Sequence, residues 1–189
     1  MRPGYIILMI VVPAVLFLLI AIWWSFRKRK IYQRLVDSIH GKGYEIDFFN
    51  TFASAGHTWL GRDVEGQVII FIPETNRNHG RYSPNDLVYL PVDQLDFFNV
   101  AIENKIFSHQ ELRDADIATT LFNQPVPEEQ GKPTIIKTVA LYLFDKQGRE
   151  YYLLLSDNAS VAAAISSKLV AWVNFLQQSQ ERHAQKFLH

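Results

Sequence analysis

The feature that most constrains this chain lies near its start: from Tyr5 to Phe26 it reads YIILMIVVPAVLFLLIAIWWSF, 22 residues without a charged side chain. At about 1.5 Å of rise per residue, a helix of that length spans the roughly 30 Å hydrocarbon core of a bilayer. A cleaved signal peptide is the competing reading. It is disfavoured because the apolar run exceeds a usual signal core, Arg2 is the only charge before it, and the far end is aromatic and basic, with no small-x-small pattern. The expectation is a transmembrane anchor over residues 1–26, with the span itself at 5–26.

The flanks give that span a direction. Trp23 and Trp24 stand where an aromatic belt belongs, and Arg27, Lys28, Arg29 and Lys30 follow at once, so the positive-inside rule puts the bulk of the chain in the cytoplasm. The expected location is a cell inner membrane of bacterial type, crossed once, with the N-terminus outside. These six residues are the candidate membrane-interface set. The basic run is read as a topology signal with ordinary headgroup contact, in preference to a dedicated anionic-lipid site. Pro13 in mid-span is a tolerated membrane proline, and the lack of ionisable groups argues against an ion or proton pathway through this helix alone. Ile31, Leu35 and Ile39, widened by Tyr32 and Val36, predict that the helix continues as a juxtamembrane basic stalk over 27–43, ended by Gly41 or Gly43.

Residues 44–189 are long enough for one domain with its own core. The chain has no cysteine, which removes disulfides, thiolate metal sites and thiol nucleophiles. Its 19 basic and 19 acidic residues balance, yet six basic ones precede the first acidic residue, Asp37, leaving the rest of the chain with 13 against 19, net −6. That sign disfavours nucleic-acid binding, which depends on neutralising phosphates, and equally disfavours broad adhesion to anionic lipid.

The domain reads as α+β and mainly antiparallel. Tyr44 to Phe52 is extended; His57 to Arg62 and Gln67 to Ile72 form a hairpin across Asp63-Val64-Glu65-Gly66. Pro73 to Asp86 is an exposed loop, and Leu87 to Glu103 is two short strands around a bend at Pro91 and Asp93. Residues 108–122 are ambiguous: Ser108 and Glu111 have capping-box spacing and Leu112, Ala115, Ala118 and Phe122 make a helical face, while Ile117 to Phe122 reads equally well as extended. Asn123 to Thr134 is a proline-bearing loop. Ile135 to Phe144 and Glu150 to Leu155 flank Asp145-Lys146-Gln147-Gly148-Arg149 as the clearest hairpin. Last comes a long amphipathic helix, capped by Ser156, Asp157 and Asn158 and marked by Val161, Ile165, Leu169, Trp172, Val173 and Leu176. Asn158-Ala159-Ser160 fits a glycosylation sequon, but a helix cap in a cytoplasmic domain explains it better.

Hairpins closed by one C-terminal helix resemble the bacterial pleckstrin-homology-like domains over Tyr44 to Leu176. The stretch Val88-Tyr89-Leu90-Pro91-Val92-Asp93-Gln94-Leu95 followed by Phe97-Phe98-Asn99-Val100 looks like the strand, bend and strand of that group, and Leu141 to Leu155 looks like its last hairpin. The resemblance is one of pattern and implies a bent antiparallel sheet or barrel plugged by the helix. The helical candidate near Leu112 is then an insertion, and the acidic balance departs from the basic, lipid-reading members.

Chemistry is sparse. Neither G-x-x-x-x-G-K-[ST] nor G-x-G-x-x-G occurs, and there is no G-x-S-x-G. His40, His57, His79, His109, His183 and His189 lack metal-ligand spacing, so neither a metal nor a cofactor is expected. Carboxylate pairs stand at Glu45/Asp47, Asp93/Asp96, Asp114/Asp116 and Glu128/Glu129, where solvated charge is the ordinary use and catalysis would require burial. Arg77, His79 and Arg81 form a candidate ligand loop. The leading expectation is a membrane-tethered, non-enzymatic interaction or adaptor module that binds another membrane-associated protein. The runner-up is a lipid-headgroup or small-ligand binding domain, and the third is a hydrolase with an unrecognised site that needs a deep pocket holding two carboxylates, or a histidine with a carboxylate.

Overall fold

Helix α1 (Pro3–Gly41) continues without a break through Pro13, and every residue from Val11 to Lys30 is exposed. It is long and apolar enough to cross a membrane. The rings of Trp23 and Trp24 meet edge to face at 6.4 Å, and the Arg27 guanidinium lies 5.5 Å from the Trp23 ring centre. At the far end Gly43 adopts φ +84°, the left-handed conformation that glycine takes without a Cβ penalty, while its N–H donates to the His40 carbonyl at 2.8 Å. The computed structural model describes residues 3–46, 50–51, 58–63, 65–74, 82–113, 116–122 and 136–186, grouped as two units, Met1–Gly43 and Tyr44–His189.

The second unit carries two four-stranded antiparallel sheets. Strands β1 (Asn50–Thr51), β2 (Trp59–Arg62), β3 (Val68–Phe71) and β4 (Val88–Pro91) lie in the order β1-β2-β3-β4. A 3-10 turn, Val92–Gln94, then carries the chain into β5 (Leu95–Ile102), and β6 (Lys105–Ser108), β7 (Thr138–Asp145) and β8 (Glu150–Asp157) complete a second sheet ordered β6-β5-β7-β8. Two short helices, α2 (His109–Arg113) and α3 (Ile117–Phe122), leave the end of β6, and α4 (Ala159–Lys186) follows β8.

Period-2 alternation sets the faces. Phe98, Val100 and Ile102 of β5, Val139, Leu141 and Leu143 of β7, and Leu153 and Leu155 of β8 point to one core. The expected stripe of α4 meets them with Ile165, Leu169, Trp172, Val173 and Leu176, and Leu60, Ile69, Phe71 and Leu90 arrive from the first sheet. Trp172 is 1 % exposed, so α4, although apolar enough to span a bilayer, is a core helix. Its N-terminus is capped as anticipated: the Asn158 side-chain oxygen accepts from the Ser160 N–H at 2.9 Å.

Both expected hairpins form and share one device, an aspartate that ends the first strand and turns its carboxylate back into the turn. Asp63 accepts from the N–H groups of Gln67 at 2.7 Å and Val68 at 2.8 Å. Asp145 accepts from the N–H groups of Gln147 at 3.0 Å and Arg149 at 2.9 Å, from the Arg149 Nε at 2.7 Å and from the Tyr151 hydroxyl at 3.2 Å. Burial alone would raise the Asp145 carboxyl, but these donors, led by Arg149, hold it below the ordinary carboxylate value. Each turn needs a left-handed glycine, Gly66 at φ +65° and Gly148 at φ +78°.

Several expectations are corrected. Neither sheet closes into a barrel: β4 ends the first sheet, and the 3-10 turn Val92–Gln94 carries the chain into β5 of the second, with no ladder between the two sheets among the described residues. On the other flank the Thr58 hydroxyl donates to the Leu154 carbonyl, and no strand ladder joins β2 to β8 among the described residues. Within residues 108–122 the described part holds two short helices, His109–Arg113 and Ile117–Phe122, with Leu112, Ile117 and Leu121 buried. Strand β6 was not expected at all. The strand expected over Tyr44 to Phe52 is reduced, in its described part, to an Ile46–Asp63 bridge and the two residues of β1. Within Pro73 to Asp86 the end is ordered as a 3-10 turn, Pro84–Asp86, with reciprocal Ser83 and Asp86 caps; residues 75–81, like the expected loop at 123–134, lie outside the described residues.

Candidate functional site

Four separated segments of the second unit converge on an open cleft of about 360 Å³. Val92 and Leu95, 2 % and 4 % exposed, supply its apolar part, and Asp93 and Asp96 stand beside them. Helix α2 brings His109 and Arg113, the β7–β8 turn brings Lys146, and the last turns of α4 bring Gln177, Gln180 and Glu181.

Each segment is held locally. A five-residue helix such as α2 has little intrinsic stability, so its cap matters. The Ser108 N–H donates to Glu111 Oε2 at 2.7 Å and the Ser108 hydroxyl accepts from the Glu111 N–H at 3.3 Å, the capping box anticipated from spacing. Those bonds, the backbone one first, hold the Glu111 carboxyl below its usual value. The Lys146 N–H donates to the Gln94 carbonyl at 2.9 Å, which seats the Asp145 turn against the 3-10 turn. On the far wall the Gln180 amide donates to the Asp96 carbonyl at 2.9 Å, at the irregularity in the β5–β7 register between Leu95 and Phe97.

The charges are mixed. Arg113 Nε and Glu181 Oε1 approach to 3.7 Å, while Asp93, Asp96 and Lys146 have no ionic partner among the described residues. The Gln177 Nε2 is shielded from water and meets no acceptor among the described residues. His109 packs its ring 6.1 Å from those of both Phe97 and Phe98. Asp93, Asp96 and Glu181 are all exposed.

Sequence reasoning singled out Asp93/Asp96 and His109 separately; the fold brings them to one cleft. It missed Arg113, Lys146, Gln177, Gln180 and Glu181, for which no local pattern exists. Of the other pairs, Asp47, Asp114, Glu128 and Glu129 lie outside the described residues. So do Arg77, His79 and Arg81 of the candidate ligand loop, and His57 and His189. The interface set Trp23, Trp24, Arg27, Lys28, Arg29 and Lys30 is exposed along α1. Among the described residues, no three of His, Cys, Asp and Glu are grouped so as to hold a metal ion. No protein-family model matches the chain, and neither a curated protein nor a solved structure is significantly similar to it.

Proposed function

We propose that this chain is a single-pass membrane protein whose cytoplasmic domain binds another membrane-associated protein, with the mixed-charge cleft as the docking surface. The observation that carries the reading is the Val11 to Phe26 stretch of α1, exposed at every position, with no charged residue. In water such a surface far exceeds what a monomeric protein leaves uncovered, whereas a bilayer covers it. The basic collar at Arg27 to Lys30 favours the orientation with residues 44–189 inside the cell and the N-terminus outside. Confinement to a membrane raises the concentration of neighbours, so a cleft of modest size and solvated charges suffices as an interface.

A pleckstrin-homology-like ancestry remains the closest architectural reading. If β6, α2 and α3 are set aside as an insertion between β5 and β7, there remain a four-stranded sheet, a three-stranded sheet and a C-terminal helix. Among the described residues, the Asp93, Asp96 and His109 grouping is the feature a hydrolytic reading can claim, and the exposure of both carboxylates weighs against it.

The test uses the full-length protein in native membranes, with a photo-crosslinking residue at Gln180 in the cleft or at Glu150, which does not line it. A discrete adduct from position 180, absent from position 150 and lost when Asp93→Lys and Asp96→Lys reverse the cleft's charge, is expected. Adducts of equal yield from both positions, or unaffected by the reversal, would remove the cleft from the proposal. A mature protein lacking residues 1–26, or C-terminal reporters active only outside the cytoplasm, would remove the anchor.

A further inference from the structure

The structure turns the Arg27 to Lys30 run from a count of charges into a shape. These residues lie inside α1, which continues to Gly41, so each is rotated about 100° from the one before and rises about 1.5 Å. Four consecutive cations therefore step through roughly 300° of the circumference within about 4.5 Å of axis. They form a closed collar. No acidic side chain stands within ion-pairing reach of it along the helix. The positions three and four residues away, where intrahelical ion pairs form, hold Trp23, Trp24, Ser25 and Phe26 on one side and Ile31, Tyr32, Gln33 and Arg34 on the other. The nearest acid of α1, Asp37, lies seven residues beyond Lys30, about 10 Å along the axis. Arg27 is also held at the aromatic belt through the face of Trp23, 5.5 Å away.

We infer that this collar selects anionic glycerophospholipid headgroups around the whole helix, making a shell of negatively charged lipid the protein's immediate surroundings. The inference rests on the membrane-anchored reading. Because the collar faces every direction, rotation of α1 about its axis does not remove a cation from the headgroup layer. The acidic domain does not substitute for it, being net −6 from residue 35 onward. Each cation at an anionic surface strengthens binding by roughly fivefold.

Brominated acyl chains quench indole fluorescence at short range, and of the four tryptophans only Trp23 and Trp24 are exposed, Trp59 and Trp172 being 4 % and 1 % exposed. The full-length protein is reconstituted from detergent into equimolar phosphatidylglycerol and phosphatidylcholine, with bromine on one lipid or the other. Quenching by brominated phosphatidylglycerol is expected to exceed that by brominated phosphatidylcholine, with a relative association constant of at least fivefold that falls as salt rises. Replacing all four residues (Arg27→Gln, Lys28→Gln, Arg29→Gln, Lys30→Gln) should abolish the preference while leaving quenching itself intact. The charge-conserving pair Arg27→Lys and Arg29→Lys should keep it. Equal quenching by the two lipids overturns the collar's selectivity and leaves the anchor standing. No quenching by either overturns the anchor and the collar together.

Discussion

Helices α1 and α4 are both long and apolar enough to cross a bilayer, yet they place their apolar residues differently. In α1 the Val11 to Phe26 stretch carries no charge on any side and is exposed all round. In α4 the apolar residues fall on one stripe, from Ile165 to Leu176, and Ser166, Ser167, Lys168 and Gln178 occupy the remainder. Content does not separate the two helices; angular distribution does. One surface is left uncovered and the other is covered by a sheet, so a change in either helix should be felt in one region and not in the other.

The largest expected effect is in the covered helix. Trp172→Ala should cost about 4 kcal/mol of domain stability, read from the denaturant midpoint of the full-length protein in mild detergent, without altering its recovery in membranes. A loss below about 1 kcal/mol would show that α4 is not a core helix. Next comes Leu16→Arg in α1, at about 3 kcal/mol of insertion free energy: the fraction surviving an alkaline membrane wash should fall while the denaturant midpoint holds. A shifted midpoint would erase the distinction between the two helices.

Smaller effects refine the picture inside the domain. Asp145→Ala leaves two turn N–H groups, a guanidinium and a phenol without their acceptor and should cost about 2 kcal/mol. Its acid dependence has a definite sign. Because the folded carboxyl sits below the ordinary value of 3.8, its contribution is complete above that pH and is lost as the pH falls through the lower folded value. Acid titration of the Asp145→Asn protein should therefore show a shallower decline in that window than the parent. Smallest is the glycine pair. Gly148→Ala, with no other group within 4 Å, should cost about 1 kcal/mol for the left-handed backbone alone. Gly66→Ala should cost more, since its new Cβ would lie 3.2 Å from the Phe175 ring, and Phe175→Leu should recover part of the excess.

What the sequence made legible was local. The Asp-x-x-Gly turns, the Asn158 cap, the α4 stripe and the Ser108–Glu111 box are each written within a few neighbouring residues. Strand β6 escaped because its turn begins at Glu103, which takes φ +52° where glycine would have announced a reversal. The ambiguity over 108–122 arose because α2 and α3 are too short for helical periodicity to declare itself. The cleft was not legible for a different reason. Val92 to Asp96, His109 to Arg113, Lys146 and Gln177 to Glu181 become neighbours only through the strand order and the docking of α4, and no spacing rule connects them.

Glu103 also has a consequence for how this domain tolerates change. Its N–H donates to the Thr138 carbonyl at 3.0 Å, and its carboxylate accepts from the N–H groups of Lys137 and, at 2.9 Å, Thr138. The chain thus departs from β5 and rejoins β7 through one clasp across 35 positions. Strand β6 and helices α2 and α3 belong to the excursion between those points, and the closure cost of such an excursion grows only slowly with its length. Phe107, Leu112, Ile117 and Leu121 nevertheless tie its described part into the shared core, so the clasp sets where the excursion begins and ends while packing holds what lies between.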